Sequence, residues 1–197
     1  MKAIFVTTNE HKRREVQQIL GVELEGAALG DHDVPEIQSL DFDEVATAKA
    51  FAAREALGRP ACPVLVEDSG IVIGAWNGLP GPLTKLFLSS TGNEGLLRML
   101  AGEEDRSAHA VCVVAVADSG GEIRVFRGKV AGTVAPEPRG TGGFGYDAIF
   151  VPGGGALTYA ELGDEKNADS HRTRAFRAVR EWLEEGRDKG IGVYGAG

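Results

Sequence analysis

The chain has 197 residues, 43% hydrophobic and 25% charged, with a net charge of −8. That is the composition of a globular chain long enough to bury a real core, read as one domain over 1–197. The negative charge argues against nonspecific nucleic-acid binding, which needs a basic surface, and no apolar stretch approaches the roughly 18 residues of a membrane span.

The opening MKAIFVTTNEHKRRE has too short an apolar run for a signal peptide. Cys62 and Cys112 sit beside or within apolar runs and read as buried free thiols rather than a disulfide or metal site. A cytoplasmic location is therefore expected.

Ala3 to Thr7 is short, apolar and β-branched, and predicts a strand. Asn9 is a good N-cap for a helix running to about Leu20, with Val16, Ile19 and Leu20 as its apolar stripe. Lys12, Arg13 and Arg14 lie in the first turns, where cations oppose the helix dipole. A phosphate bound at that N-terminus would explain them, and so would a solvated basic face.

Val22 to Gly30 is weakly patterned and suggests a short strand, followed by a loop to Glu36. Asp41, with Glu44 three residues on, predicts a capping box for a helix ending at Leu57 before Gly58. Lys49 falls near the small-residue face of that helix. Alone, it reads as a lysine snorkelling to solvent.

Val64 to Pro82 organises the rest. The run Val64-Leu65-Val66 delivers Glu67 and Asp68, Ser69-Gly70 is expected to turn the chain, and Ile71-Val72-Ile73 to lead away. Carboxylates at such a strand end suit a metal or a general base. A short helix carrying Lys85 is expected over 83–89. A second helix, capped at Thr91 with Glu94, runs to Gly102.

Ala108–Val116 and Glu122–Val134 predict a hairpin turned at 118–121. Strands alternate with helices elsewhere, so the fold class is α/β: a mixed sheet with helices on both sides. Gly140, Gly142 and Gly145 match G-x-G-x-x-G in form, but they follow a Pro pair and lead into a strand-like segment, which excludes the dinucleotide reading. Glycines beside Phe144 and Tyr146 suggest a loop that lets a flat ligand stack, or one whose aromatics anchor it to the core. Ser170 caps the last helix, whose stripe is Ala175, Phe176, Val179, Trp182 and Leu183. His171 and Arg172 stand at its first turn as a second group of cations. The tail over 188–197 is expected to lack order.

Two cationic helix starts, the lysines Lys49, Lys85 and Lys166, three acids and an aromatic loop suggest a nucleotide-polyphosphate site. Glu36, Glu67 and Asp68 are hard oxygen ligands of the kind Mg²⁺ takes alongside phosphates. No Walker A sequence is present.

Five motifs now stand in order: Thr7-Thr-Asn9-Glu-His-Lys12, Glu67-Asp-Ser-Gly70, Gly78-Leu-Pro-Gly81, Gly142-Gly-Phe-Gly-Tyr-Asp147 and Lys166-Asn…Ser170-His-Arg172. Together they resemble the inosine/xanthosine triphosphate pyrophosphatase family, over nearly the whole chain. The Glu67-Asp68 pair is similar to the eukaryotic and archaeal branch, and the Gly-Gly-Phe-Gly-Tyr-Asp loop to the bacterial form.

The resemblance implies an elongated mixed sheet in two lobes with a central cleft, a homodimer and Mg²⁺. It implies hydrolysis of ITP, dITP and XTP to the monophosphate and pyrophosphate. Carried over, Thr7, Thr8, Asn9, Glu10, His11 and Lys12, with Lys49, Ser69 and Lys85, bind the phosphate end. Phe144, Gly145, Tyr146, Asp147, Lys166, His171 and Arg172 hold the base and sugar. Glu36, Asp68 and Glu67 form the metal set, and Asp68 with Lys12 is catalytic. A donor at the 6-oxo position would favour hypoxanthine and xanthine over adenine. The alternatives are a pyrophosphatase for modified pyrimidine nucleotides and a nucleotide sensor without turnover.

Overall fold

A computed structural model describes residues 3–20, 24–27, 29 and 34–188. The predicted tail, apart from its first residue, and part of the loop between Gly30 and Glu36 lie outside the described residues.

The sheet has six strands in the order β2-β1-β3-β4-β5-β6. β1 (Ile4–Val6) runs parallel to β2 (Glu25–Ala27) and to β3 (Val64–Ile73). β4 (Ser107–Ala117), β5 (Ile123–Val134) and β6 (Phe150–Pro152) continue it antiparallel. The helices are α1 (Glu10–Leu20), α2 (Phe42–Ala56), α3 (Thr84–Met99), α4 (Tyr159–Leu162) and α5 (His171–Asp188).

Strand alternation sorts the core onto the two faces. Phe5, Leu65, Cys112, Val114 and Val116 pack with α1 and α5, where Val16, Phe176 and Val179 meet them. Ile4, Val6, Val64, Val66, Val113 and Ala115 pack on the other face with Ala46, Ala50 and Ala53 of α2. Ile71 and Ile73 carry the α5 face onward to Leu96, Tyr146, Phe150 and Tyr159. Both cysteines are free thiols, Cys112 buried as expected and Cys62 only half-buried.

Four expectations are corrected. Ser69-Gly70 makes no turn: β3 is one continuous strand from Val64 to Ile73, so Glu67 and Asp68 lie inside it. Gly70 is needed for close approach instead. A Cβ there would lie 2.1 Å from the Gly81 carbonyl oxygen and 2.6 Å from Thr84 Oγ1. Glu44 forms no capping box with Asp41. Asp41 accepts from the Asp43 amide at 2.8 Å, and Glu44 instead takes the Ser39 hydroxyl at 2.7 Å. Thr91 caps nothing, because its hydroxyl donates back to the Phe87 carbonyl at 2.9 Å. The expected helix pair is one element broken at Gly92, whose φ of 65° and ψ of −178° interrupt the helical path.

Candidate active site

β3 outruns its parallel neighbour. β1 pairs only with Val64 and Leu65, so the next residues of β3 border a crevice beyond the carboxyl end of β1. Alternation then sends the two adjacent acids to opposite faces. Glu67 follows Leu65 onto the α5 face, and Asp68 follows Val66 onto the α2 face.

The turn from β1 into α1 borders the same crevice. Asn9 caps α1 as expected, its Oδ1 accepting from the Lys12 amide at 3.1 Å, and Thr7 Oγ1 accepts from the Asn9 amide at 3.1 Å. Lys12 reaches inward, its ammonium 3.3 Å from Glu67 Oε1.

A cavity of about 580 Å³ opens here. Of the sequence-predicted site residues, Thr7 to Lys12, Glu36, Lys49, Glu67, Asp68, Ser69, Lys85, Phe144 to Asp147, His171 and Arg172 all line it. Lys166 stands one layer behind and is buried against Asp147. The phosphate-type and base-type residues thus share one cavity.

On the α5 face, Arg172 is 2% exposed. Its Nε and Nη2 donate to the two Glu67 oxygens at 2.9 and 2.8 Å, and Nη2 also reaches Ser69 Oγ at 3.2 Å. Its Nη1 pairs with Glu15 of α1, which also holds Lys166 at 2.7 Å. Burial opposes ionisation of Glu67, but Arg172 and Lys12 outweigh it and hold that carboxyl well below the usual range. Glu67 is therefore committed to cations of the chain.

Sequence reasoning missed Glu15. Its signal was positional: it lies three residues after Lys12 and beside Val16, on the inward side of α1 rather than the wet one.

On the α2 face, Lys49 does not snorkel away. It lines the cavity, paired with Glu36, and Lys85 lies 4.0 Å from the other Glu36 oxygen. Burial works to raise the Glu36 carboxyl, but Lys49, with Lys85 and Lys12 behind it, holds it below its ordinary value. Asp68 differs. Burial pushes its carboxyl up to about 6, against the pull of Lys12 and Lys49 and with help from the charges of Glu36 and Glu67. Its Oδ2 is buried with no hydrogen-bond partner among the described residues.

The Gly-aromatic loop closes the far end. The amide of Phe144 donates to Asp147 Oδ2 at 2.9 Å, and the carboxylate is held by Lys166. His11 stacks on Phe144 with ring centroids 5.2 Å apart, and the Arg172 guanidinium lies 5.4 Å from the same ring. Across the break in α3, Asn93 holds the Gly145 carbonyl at 2.9 Å.

His171 departs from the expected cation pair. It is 2% exposed, and burial together with Arg172 drives its pKa well below the ordinary value, so the ring is neutral.

Among the described residues no group of three or more His, Cys, Asp or Glu side chains could hold a metal ion. A Mg²⁺ ion that shares substrate phosphates needs only one or two carboxylates. The unpartnered Asp68 oxygen fits that demand, and so does the partly exposed Glu36 once it exchanges Lys49 for the metal, whereas Glu67 is sealed in the buried pair with Arg172.

The sequence profile of the Ham1 family matches residues 3–182. The chain belongs to the Ham1 family. It is 46% identical to the dITP/XTP pyrophosphatase of Methanopyrus kandleri, over 92% of this chain and 96% of that protein. It is 43% identical to the inosine triphosphate pyrophosphatase of Aspergillus fumigatus, over 94% and 96%. The fold of this Ham1-family chain superposes on the HAM1 protein of Coxiella burnetii with a TM-score of 0.78 at 33% identity, covering 94% of this chain and all of that one. Among the described residues no helix is long and apolar enough to cross a membrane.

Proposed function

We propose that this Ham1-family chain hydrolyses ITP, dITP and XTP to the monophosphate and pyrophosphate, and so removes them from the nucleotide pool. One observation carries the reading. A single cavity joins a lysine-rich end, where an orphan carboxylate oxygen of Asp68 lies, to an aromatic slot at Phe144. The relatives named for the same activity support it.

Lys12, Lys49 and Lys85 bind the triphosphate, helped by the Thr7–Asn9 turn and the positive end of the α1 dipole. Phe144 stacks on the base, and Tyr146, Asp147, Lys166, His171 and Arg172 shape its pocket. Water attacks the α-phosphorus in line, and the bond from that phosphorus to the bridging oxygen of the β-phosphate breaks. Asp68, with its raised pKa, takes the proton from the water. The lysines stabilise the charge that develops on pyrophosphate. Mg²⁺ held by Asp68 and Glu36 would supply further charge neutralisation on the phosphates. Glu67 acts from behind, by holding Lys12 and Arg172.

The same reading includes a homodimer, one domain over 1–197 and a cytoplasmic location. The experiment is incubation with Mg²⁺ and, separately, ITP, XTP, GTP and ATP, with products identified by ion-exchange chromatography. IMP and XMP with pyrophosphate are expected, with little product from ATP or GTP. Diphosphate and free phosphate would overturn the α-phosphorus assignment. Bound ITP without turnover would favour a sensor.

A further inference from the structure

Three groups lie against the Phe144 ring. His11 stacks on it, 5.2 Å between centroids and 24° from parallel. The Lys166 ammonium and the Arg172 guanidinium each lie 5.4 Å from its centroid. The two cations are fixed. Both are buried, Lys166 on Glu15 at 2.7 Å and on Asp147, Arg172 on the fork of Glu67. The phenyl ring is fixed too. Its own amide donates to Asp147 Oδ2 at 2.9 Å, and Asn93 holds the carbonyl of the next residue, Gly145, at 2.9 Å. His11 differs from both. It is exposed, and its imidazole has no hydrogen bond or ion pair among the described residues. An exposed side chain changes rotamer freely. Because His11 is exposed and Phe144 half-buried, the face His11 covers is one that would otherwise meet solvent. The wet face of Phe144 is thus covered by the chain itself.

We infer that His11 is a displaceable stand-in for the base: it covers Phe144 until a purine nucleotide takes its place, and it returns to the ring as the monophosphate leaves. This deepens the proposed function and rests on it for the stacking of the base on Phe144. A purine has two fused rings and covers more of the phenyl face than one imidazole, so it wins the exchange. The exchange weakens nucleotide binding by the worth of the stack that His11 loses. That penalty falls equally on substrate and product, because both carry the same base. It does not fall on pyrophosphate, which has no ring. His11 thereby loosens the product at the base end and leaves the grip on the phosphates intact.

The test joins a spectroscopic arm to a binding one, and neither needs turnover. Nuclear Overhauser contacts between His11 and Phe144 in the full chain, assigned with His11→Ala, should be present in the protein alone. They should vanish on adding IMP and persist on adding pyrophosphate. By calorimetric titration, His11→Ala should bind IMP about two- to tenfold more tightly than the wild type, the worth of one aromatic pair. Pyrophosphate affinity should stay at the wild-type value. In steady-state kinetics, KM for ITP should fall by the same factor as the IMP dissociation constant. Contacts that persist under saturating IMP overturn the inference, as does an IMP affinity that is unchanged or weaker in His11→Ala. An equal change for pyrophosphate would place His11 at the phosphate end and overturn it as well. If IMP releases His11 from Phe144 but ITP is not hydrolysed, the proposed function fails and the exchange stands.

Discussion

Arg172 and Glu67 face each other as a buried fork, with two hydrogen bonds of 2.8 and 2.9 Å joining residues 105 positions apart in the chain. The pair locks the start of α5 to the middle of β3, and so fixes one wall of the cavity. Removing one partner of a buried pair leaves the other charged and unpaired. Glu67→Gln is expected to lower the unfolding free energy by about 3 kcal/mol, measured by urea denaturation at pH 7. An unchanged midpoint would show that the pair contributes nothing net.

The same pair sets an acid limit. Glu67 has a folded-state pKa below its unfolded value, so it binds fewer protons when folded. Its contribution is present above the unfolded carboxyl pKa of about 4.3 and is lost as pH falls from there toward the folded pKa. Below about pH 4 the wild type should lose stability more steeply than Glu67→Gln. Parallel acid-denaturation curves for the two proteins would contradict this.

Asp68 has the reverse sign. Its pKa is raised to about 6, so the metal-free folded state loses stability as pH rises from about 4 to 6. Asp68→Asn should therefore be about 1–3 kcal/mol more stable than the wild type at pH 7.5 in a chelator. The same variant should lose about 10²–10⁴-fold in kcat on ITP. Stability gained while activity is lost would mark a carboxylate held under electrostatic strain for its chemistry. A variant that loses both would mean Asp68 is structural.

In the proposed function Phe144 stacks on the base. Phe144→Ala should raise KM for ITP by about 5- to 100-fold, the range for losing one base–aromatic stack, with kcat changed less. Steady-state kinetics on ITP and XTP read this. A fall confined to kcat would show that the ring serves the reacting phosphates rather than the base.

Gly128 seats α5 on β5. A Cβ there would lie 1.9 Å from the His171 carbonyl oxygen and 2.6 Å from the Ala175 amide nitrogen. Gly128→Ala should push the start of α5 off the sheet and cost about 1–3 kcal/mol or more. Activity should fall with it, because His171 and Arg172 move together. Full activity at wild-type melting temperature would contradict that account.

Much of the fold was legible in the pattern. Asn9 caps α1, the 118–121 turn joins β4 to β5, and Ser170 Oγ accepts from the Thr173 amide at 3.1 Å at the start of α5. These depend on neighbours within a few residues, which is where sequence reasoning is strongest. Ser69-Gly70 misled because a glycine in a strand has two uses, a turn or a close contact, and the Gly81 backbone that requires the contact is eleven residues away.

The site divides in the same way. Its residue types and order along the chain pointed to nucleotide chemistry before any contact was known, because cations, hard acids and stacking rings are what a nucleotide needs. Roles depending on partners stayed hidden. Glu67 and Asp68 are adjacent letters, yet alternation sends them to opposite faces, one to Arg172 and one to an orphan oxygen in the cavity. Glu15 drew no notice until Arg172 and Lys166 closed on it. His171 read as a cation until burial made it neutral. Residue types and their order establish which groups exist and which local elements carry them. Which charges are spent on each other and which stay free for a ligand follows from the folded arrangement alone, because pairing and desolvation depend on distance in space and not along the chain.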